Sequence, residues 1–188
     1  NGLVPDDCTL LLGPSFAFLR PEFLELRKKH VIKKNNTNDF NILISMGGVD
    51  PDNYTQRILT VLDRCKLGNS TKIVIVLGNS SPWKDKILKF SRSCNYDVEV
   101  FVGVDNMAVL MSEADVAFGA AGVTSWERCC LGLPTICFVI AENQRMGSIA
   151  LQKSGAIIVM DIDRFSPEIL QSKLDNLQIT EIYESMQS

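Results

Sequence analysis

Several things are scarce in this 188-residue sequence. It contains one histidine, so a histidine-based metal site is not expected. Its net charge of −3 provides no basic footprint for nucleic acid or for an anionic membrane surface. Its longest apolar runs, such as TICFVIA, are far shorter than the roughly 20 residues of a membrane-spanning helix. We therefore expect no metal, no nucleic-acid partner and no membrane span.

Cysteine is present but without the paired spacing of metal ligands. The thiols lie within apolar or helical patterns, which favours small buried hydrophobic residues in a reduced, cytoplasmic compartment. The beginning of the sequence also lacks the pattern of a secretory leader. The six cysteines are Cys8, Cys65, Cys94, Cys129, Cys130 and Cys137.

What the sequence does contain is an alternation of short apolar runs and amphipathic segments. The runs are continuously apolar, which is typical of strands buried on both faces of a parallel sheet, and the segments between them have the three- and four-residue spacing of helices. The predicted fold is α/β, a Rossmann-like parallel sheet with helices on both faces. The predicted strands are 40–47, 71–78, 98–103, 115–121, 135–141 and 156–161.

The helix boundaries have recognisable signals. Ser81 and Ser166 each precede a proline, which predicts a capping serine followed by proline at the first helical position. Gly132 and Gly155 stand where helices would end in a left-handed residue. His30 is expected on a solvated helix face.

Ligands of open parallel sheets bind at the carboxyl ends of the strands, so the loops there are candidate sites. In SMGGVDPDN, Gly47 and Gly48 allow the backbone to approach a ligand, although a tight turn with Asp52 or Asn53 as helix cap explains the same letters. In VDNM, the backbone N–H and C=O of Val104 match the hydrogen-bonding edge of a uracil ring, although Asp105 could simply cap a helix there.

The segment AAGVTSWERCCLGLPTICF is the most informative. The N–H groups of Gly122, Val123 and Thr124 could converge on a pyrophosphate at a helix start. Glu127 could accept hydrogen bonds from ribose hydroxyls, as acidic residues do in other nucleotide sites. The alternative is a capping box formed by Thr124 and Glu127.

The last loop, AENQRMG, contains two uncharged amides. Asn143 and Gln144 could bind sugar hydroxyls or orient a water molecule, while an ordinary polar turn capped by Asn143 is equally compatible.

These segments, together with LLGPSFAFLRPEF and ILISMGGVDPDN, resemble the carboxyl-terminal half of the UDP-sugar hydrolases of pseudaminic acid biosynthesis. Those enzymes release UDP from UDP-2,4-diacetamido-2,4,6-trideoxy-β-L-altropyranose. The chain is similar, more distantly, to the nucleotide-binding half of B-type glycosyltransferases, including the one that makes lipid II. The resemblance extends from Leu10 to about Asp161.

The resemblance implies a UDP-sugar substrate, UDP as product and no cofactor. It implies that Val104 holds uracil and Glu127 holds ribose. Asn143 would lie near the reacting sugar as the catalytic amide, with Gln144 as a further sugar contact. The phosphate-facing positions would be Gly47, Gly48, Gly122, Val123 and Thr124.

The resemblance also implies a partner domain. Residues 1–20 would be a linker from a missing amino-terminal domain, and residues 21–188 the UDP-binding domain. In the family that other domain carries a histidine thought to be catalytic, and His30 does not match it. We expect a hydrolase with water as acceptor, acting in the cytoplasm on a route to polysaccharide or flagellin glycosylation. A glycosyltransferase domain and a non-catalytic UDP-sugar-binding module are the alternatives.

Overall fold

The computed structural model describes residues 4–5, 7–10, 13, 16–29 and 40–176. Strands and helices alternate along these residues as the sequence predicts. The strands are β1 (Asn41–Ser45), β2 (Lys72–Leu77), β3 (Asp97–Val102), β4 (Val116–Ala120), β5 (Thr135–Phe138) and β6 (Ile158–Met160). The α-helices are α1 (Pro21–Lys29), α2 (Tyr54–Leu62), α3 (Lys84–Ser91), α4 (Met107–Glu113), α5 (Thr124–Cys130), α6 (Arg145–Lys153) and α7 (Pro167–Asn176).

The six strands form one sheet in the order β3-β2-β1-β4-β5-β6, and every neighbouring pair is parallel. The chain runs outward from β1 to β3, then returns to place β4 on the other side of β1, with Ser45 opposite Gly119. In open α/β sheets this reversal of strand order opens a crevice where ligands bind. The predicted Rossmann-like fold is confirmed.

Both faces of the sheet are covered, which explains the continuously apolar strands. Successive residues of a strand point to opposite faces, so Ile42 and Ile44 join one apolar cluster while Leu43 joins the other. The first cluster includes Ile58 of α2, and the second includes Phe23 of α1. Helices therefore cover both faces of the central strands, whereas the outer strands β3 and β6 are only partly buried.

Most of the predicted helix boundaries are confirmed. Gly132 and Gly155 adopt left-handed φ values of 64° and 76°, and Ser166 Oγ accepts the N–H of Ile169 at 3.3 Å. The predicted start at Pro82 is wrong, because α3 begins at Lys84. Pro82 and Trp83 instead form a turn, and the indole of Trp83 donates to the backbone oxygen of Asp50 at 2.8 Å, which ties this turn to the loop after β1. His30 lies outside the described residues.

Within the described ranges, no helix is long and apolar enough to cross a membrane, and no group of three or more histidine, cysteine or acidic side chains could hold a metal ion. No disulfide joins the six cysteines, all of which lie among the described residues. Three of them, Cys65, Cys130 and Cys137, are buried as expected, and Cys8 is exposed.

Candidate functional site

The predicted site residues all lie at or just beyond the carboxyl ends of the strands. The turn after β1 contains Gly47 and Gly48, and the turn after β4 contains Gly122. Because β1 and β4 are hydrogen-bonded neighbours, these two turns lie side by side where the strand order reverses. Val104 follows β3 on one side of this pair, and the loop with Asn143 follows β5 on the other.

The turn from β4 to α5 leaves backbone donors available. The carbonyls of Gly122 and Val123 accept the N–H groups of Ser125 and Trp126, both at 3.0 Å. The N–H groups of Gly122, Val123 and Thr124 take part in none of the hydrogen bonds of the described turns. Such free N–H groups at the start of a helix are a natural binding surface for an anion.

The capping-box alternative for this helix has no hydrogen bond to support it. No side chain caps α5, and Val123 occupies the residue before its first turn. Thr124 Oγ1 instead accepts from Arg128 Nη1 at 3.3 Å. The threonine faces the interior of the turn, so the outer N–H groups stay uncovered.

Glu127 is held by a residue far away in the sequence. Its carboxylate is buried, and Oε1 accepts from Arg20 Nε at 3.0 Å. Arg20 also pairs with Glu22 at 3.2 Å and lies over the ring of Phe23 at 4.9 Å. The predicted linker residue Arg20 therefore orients Glu127. Sequence reasoning missed this contact because no local pattern links the two positions.

Arg128 is a second residue that sequence reasoning missed. It is 1% exposed, and Nη2 donates to the carbonyl of Ala120 at 2.8 Å and to Ser125 Oγ at 3.1 Å. Desolvation by burial lowers the pKa of this guanidinium from its usual value. The available signal was the helical spacing of Thr124, Ser125 and Arg128, which puts the three polar side chains on one face.

The turn from β1 to α2 is organised differently. Gly47 has a φ of 92°, a conformation that favours glycine. The carboxylate of Asp50 accepts the N–H groups of Tyr54 at 2.8 Å and Thr55 at 2.9 Å. The expectation that Asp52 or Asn53 caps this helix is therefore wrong.

The reason is the backbone at Asn53. This residue has a left-handed φ of 55°, and its side chain donates to Gln56 Oε1 instead of accepting an N–H. The first N–H groups of α2 therefore donate to the carboxylate of Asp50, which lies earlier in the chain and is buried.

The loop after β3 leaves the edge of Val104 accessible. Neither its N–H nor its C=O forms a hydrogen bond of the described turns. Its side chain packs against the core cluster that contains Phe23, which fixes the backbone position. The alternative of Asp105 as a helix cap is not observed, because Asn106 precedes α4 and no side chain caps it.

The two amides after β5 differ in their availability. Residues Glu142–Gln144 form a 3-10 turn. Gln144 Oε1 accepts the N–H of Ile140 at 3.2 Å, so its NH₂ group remains the free part of that amide. Asn143 is exposed and does not cap the turn. Asn143 therefore presents a whole amide to a ligand.

Two proteins of known name are similar to this chain in sequence. The UDP-2,4-diacetamido-2,4,6-trideoxy-beta-L-altropyranose hydrolase of Campylobacter jejuni is 31% identical over 157 residues, covering 82% of this chain and 53% of that protein. This confirms the resemblance drawn from the sequence motifs. The spore coat polysaccharide biosynthesis protein SpsG of Bacillus subtilis is 26% identical over 157 residues, covering 83% of this chain and 45% of that protein. The chain thus spans about half the length of these relatives.

Among solved structures, MurG of Acinetobacter baumannii superposes with a TM-score of 0.66 at 18% identity, covering 99% of this chain and 52% of that one. At this identity the likeness concerns the fold, which is that of one half of a B-type glycosyltransferase. Residues 41–187 match the glycosyltransferase family 28 C-terminal domain, and the chain therefore belongs to this family.

Proposed function

We propose that this chain is the UDP-binding part of a UDP-sugar hydrolase that releases UDP from a 2,4-diacetamido-2,4,6-trideoxy hexose. The observation that carries the proposal is the set of unpartnered N–H groups at Gly122, Val123 and Thr124, next to the buried carboxylate of Glu127. The name of the Campylobacter jejuni relative supports the substrate class.

Each part of UDP has a residue of suitable chemistry. The N–H groups after β4 carry the partial positive charge of a helix start and would bind the diphosphate, with Gly47 and Gly48 on the neighbouring turn. Glu127 would accept hydrogen bonds from the ribose hydroxyls while Arg20 holds its other side. The free backbone edge of Val104 would pair with uracil.

The sugar would lie toward β5, where Asn143 and the NH₂ group of Gln144 can reach its polar substituents. In the proposed reaction, water attacks the anomeric carbon, the bond from that carbon to the phosphate oxygen breaks, and UDP leaves with the electron pair. The N–H groups after β4 stabilise the charge that develops on UDP.

An amide cannot accept the proton of the attacking water, so Asn143 would orient the water and another group would act as base. We propose that a missing amino-terminal domain supplies this base, which agrees with relatives about twice as long. If hydrolysis in ¹⁸O-labelled water placed the label in UDP, the phosphorus–oxygen bond would be the one broken, and this mechanism would be wrong.

A glycosyltransferase is the second candidate, since the matching family is named for that activity. Incubation of the complete gene product with the UDP-sugar in plain buffer separates the possibilities. Release of UDP without an acceptor supports the hydrolase, and release only with an acceptor supports the transferase. Binding without turnover would indicate a UDP-sugar-binding module. The hydrolase proposal also places the protein in the cytoplasm, on a route to pseudaminic acid and glycosylated flagellin.

Calorimetric titration with UDP tests the site itself. Glu127→Ala should weaken UDP binding by about 1–3 kcal/mol, because a buried charged hydrogen-bond acceptor is lost. The matched control is Glu22→Ala, which removes the other, half-exposed partner of Arg20 and should change binding by less than about 0.5 kcal/mol.

A ribose analogue sharpens this test. The parent should bind 2′-deoxy-UDP more weakly than UDP, whereas Glu127→Ala should distinguish the two ligands poorly. If the variant binds UDP as tightly as the parent does, Glu127 is not a ribose contact and the proposed site is misplaced.

A further inference from the structure

A buried arginine lies beneath the turn that the proposed function assigns to the diphosphate. Arg128 is 1% exposed and is among the largest fully buried side chains of the described residues. Removing a guanidinium from water is strongly unfavourable unless a negative group compensates its charge. The partners of Arg128 therefore decide what role the residue has.

All of these partners are neutral. The guanidinium donates to the carbonyl oxygen of Ala120 and to the hydroxyls of Ser125 and Thr124. Its last contact is Cys137 Sγ at 3.9 Å, and burial raises the pKa of that thiol, so it stays protonated at neutral pH.

Among the described residues, no carboxylate forms an ion pair with Arg128, and its buried Nε has no hydrogen-bond partner. The neighbouring acid, Glu127, is paired with Arg20 instead. Glu127 acts on Arg128 only through its longer-range charge, so the guanidinium beneath the turn has no ion-pair partner among the described residues.

The surrounding backbone is shaped to hold this side chain. A Cβ added to Gly119 would lie 2.5 Å from Arg128 Nη1, so a larger residue there would displace the guanidinium. The guanidinium reaches from Ala120 at the end of β4 to Thr124 at the start of α5. It thereby joins the two residues that flank the turn and fixes the distance between them.

We propose that Arg128 is a positioning residue of the nucleotide site, holding the turn with its N–H groups outward and favouring a charged diphosphate over an uncharged nucleoside. This inference rests on the proposed UDP site. It assigns the missing negative partner of Arg128 to the ligand. An arginine that only filled the core would affect folding and would not distinguish UDP from uridine.

The test compares UDP with uridine by calorimetry on the parent and on Arg128→Met, Arg128→Lys and Arg92→Met. For Arg128→Met we expect UDP to bind at least about tenfold more weakly, the effect of one charge at roughly 10 Å in a partly buried site. Uridine binding should change by less than about twofold, since that ligand has no charge. Arg92 is exposed directly after α3, so Arg92→Met should change neither affinity.

Arg128→Lys keeps the charge and loses the two-pronged contact. We expect the ratio of UDP to uridine affinity to fall by about threefold, less than in Arg128→Met, because an ammonium cannot bridge Ala120 and Thr124 at once. Circular dichroism and urea midpoints confirm folding. If Arg128→Met does not fold, the Lys variant decides alone, and an unchanged ratio overturns the proposal.

The outcomes are distinct. An equal loss of UDP and uridine binding in Arg128→Met would mean that the residue is only structural, and unchanged affinities would mean that it has no role in binding. Either result overturns the inference while leaving the UDP site in place. A parent chain that binds neither ligand contradicts the proposed function itself, and the inference with it.

Discussion

The turns after β1 and β4 lie side by side and are both built from small residues, yet they are held by opposite charges. After β1, the buried carboxylate of Asp50 accepts the first N–H groups of α2. After β4, the buried guanidinium of Arg128 donates to a carbonyl and two hydroxyls and leaves the N–H groups before α5 free.

This difference separates a structural helix start from one that can bind an anion. A carboxylate that occupies the N–H groups of α2 satisfies them internally and opposes a second negative group. The guanidinium of Arg128 beneath the turn after β4 leaves the N–H groups free and attracts a negative group. If Gly47 and Gly48 face the phosphates, they therefore do so through their own backbone, and the stronger anion site is expected after β4.

Among the tests of this comparison, Gly78→Ala should cause the largest loss of unfolding free energy. A Cβ at Gly78 would collide with the backbone carbonyl of Gly48, and backbone atoms cannot yield as a flexible side chain does. We expect a loss of about 3 kcal/mol in unfolding free energy, measured by urea denaturation.

The matched control is Gly48→Ala, where an added Cβ meets nothing within 4 Å. It should cost less than about 1 kcal/mol. Equal stability of the two variants would show that the loops after β1 and β2 do not interlock.

A smaller effect is expected when the negative group after β1 is removed. Asp50→Ala leaves the N–H groups of Tyr54 and Thr55 without an acceptor and should lower the unfolding free energy by about 2 kcal/mol. The exposed neighbour Asp52 provides the control, and Asp52→Ala should change it by less than about 0.5 kcal/mol. If urea denaturation showed a larger loss for Asp52→Ala than for Asp50→Ala, Asp52 would be the cap of α2.

The smallest effect is expected from pH, through a thiol next to Arg128 on α5. Burial raises the pKa of the Cys129 thiol on α5 to about 11, although the charge of Arg128 opposes this shift. Between the ordinary thiol pKa of 9.0 and this value, the folded chain retains a proton that the unfolded chain releases. Stability is therefore intact below about pH 9 and falls as the pH rises, by roughly 1–1.5 kcal/mol at pH 10.

Urea denaturation at pH 7 and pH 10 measures this loss. In Cys129→Ala the decline should be smaller by about 1 kcal/mol, because the variant has no proton to release at that position. A variant with the same pH dependence as the parent would mean that Cys129 does not contribute to it.

The fold and the turns that form the candidate site could be predicted from local patterns. Six apolar runs gave six strands within a few residues of their observed bounds, because strands buried on both faces leave a continuous apolar signature. The small residues at Gly47 and Gly122 marked the turns. The cap of α2 could not be chosen, because Asp50, Asp52 and Asn53 are all capping residue types. Only the folded turn, which buries Asp50 against the first N–H groups of the helix, decides among them.

By itself the sequence determined the alternation of strands and helices and the loops that carry polar or glycine residues, since these depend on periodicity and backbone preference between near neighbours. The tertiary structure alone decided which charges meet. Arg20 reaches Glu127 across 107 positions. Arg128 is buried without an acid because β4 and α5 enclose it, and burial and long-range pairing are properties of the packed sheet rather than of any segment.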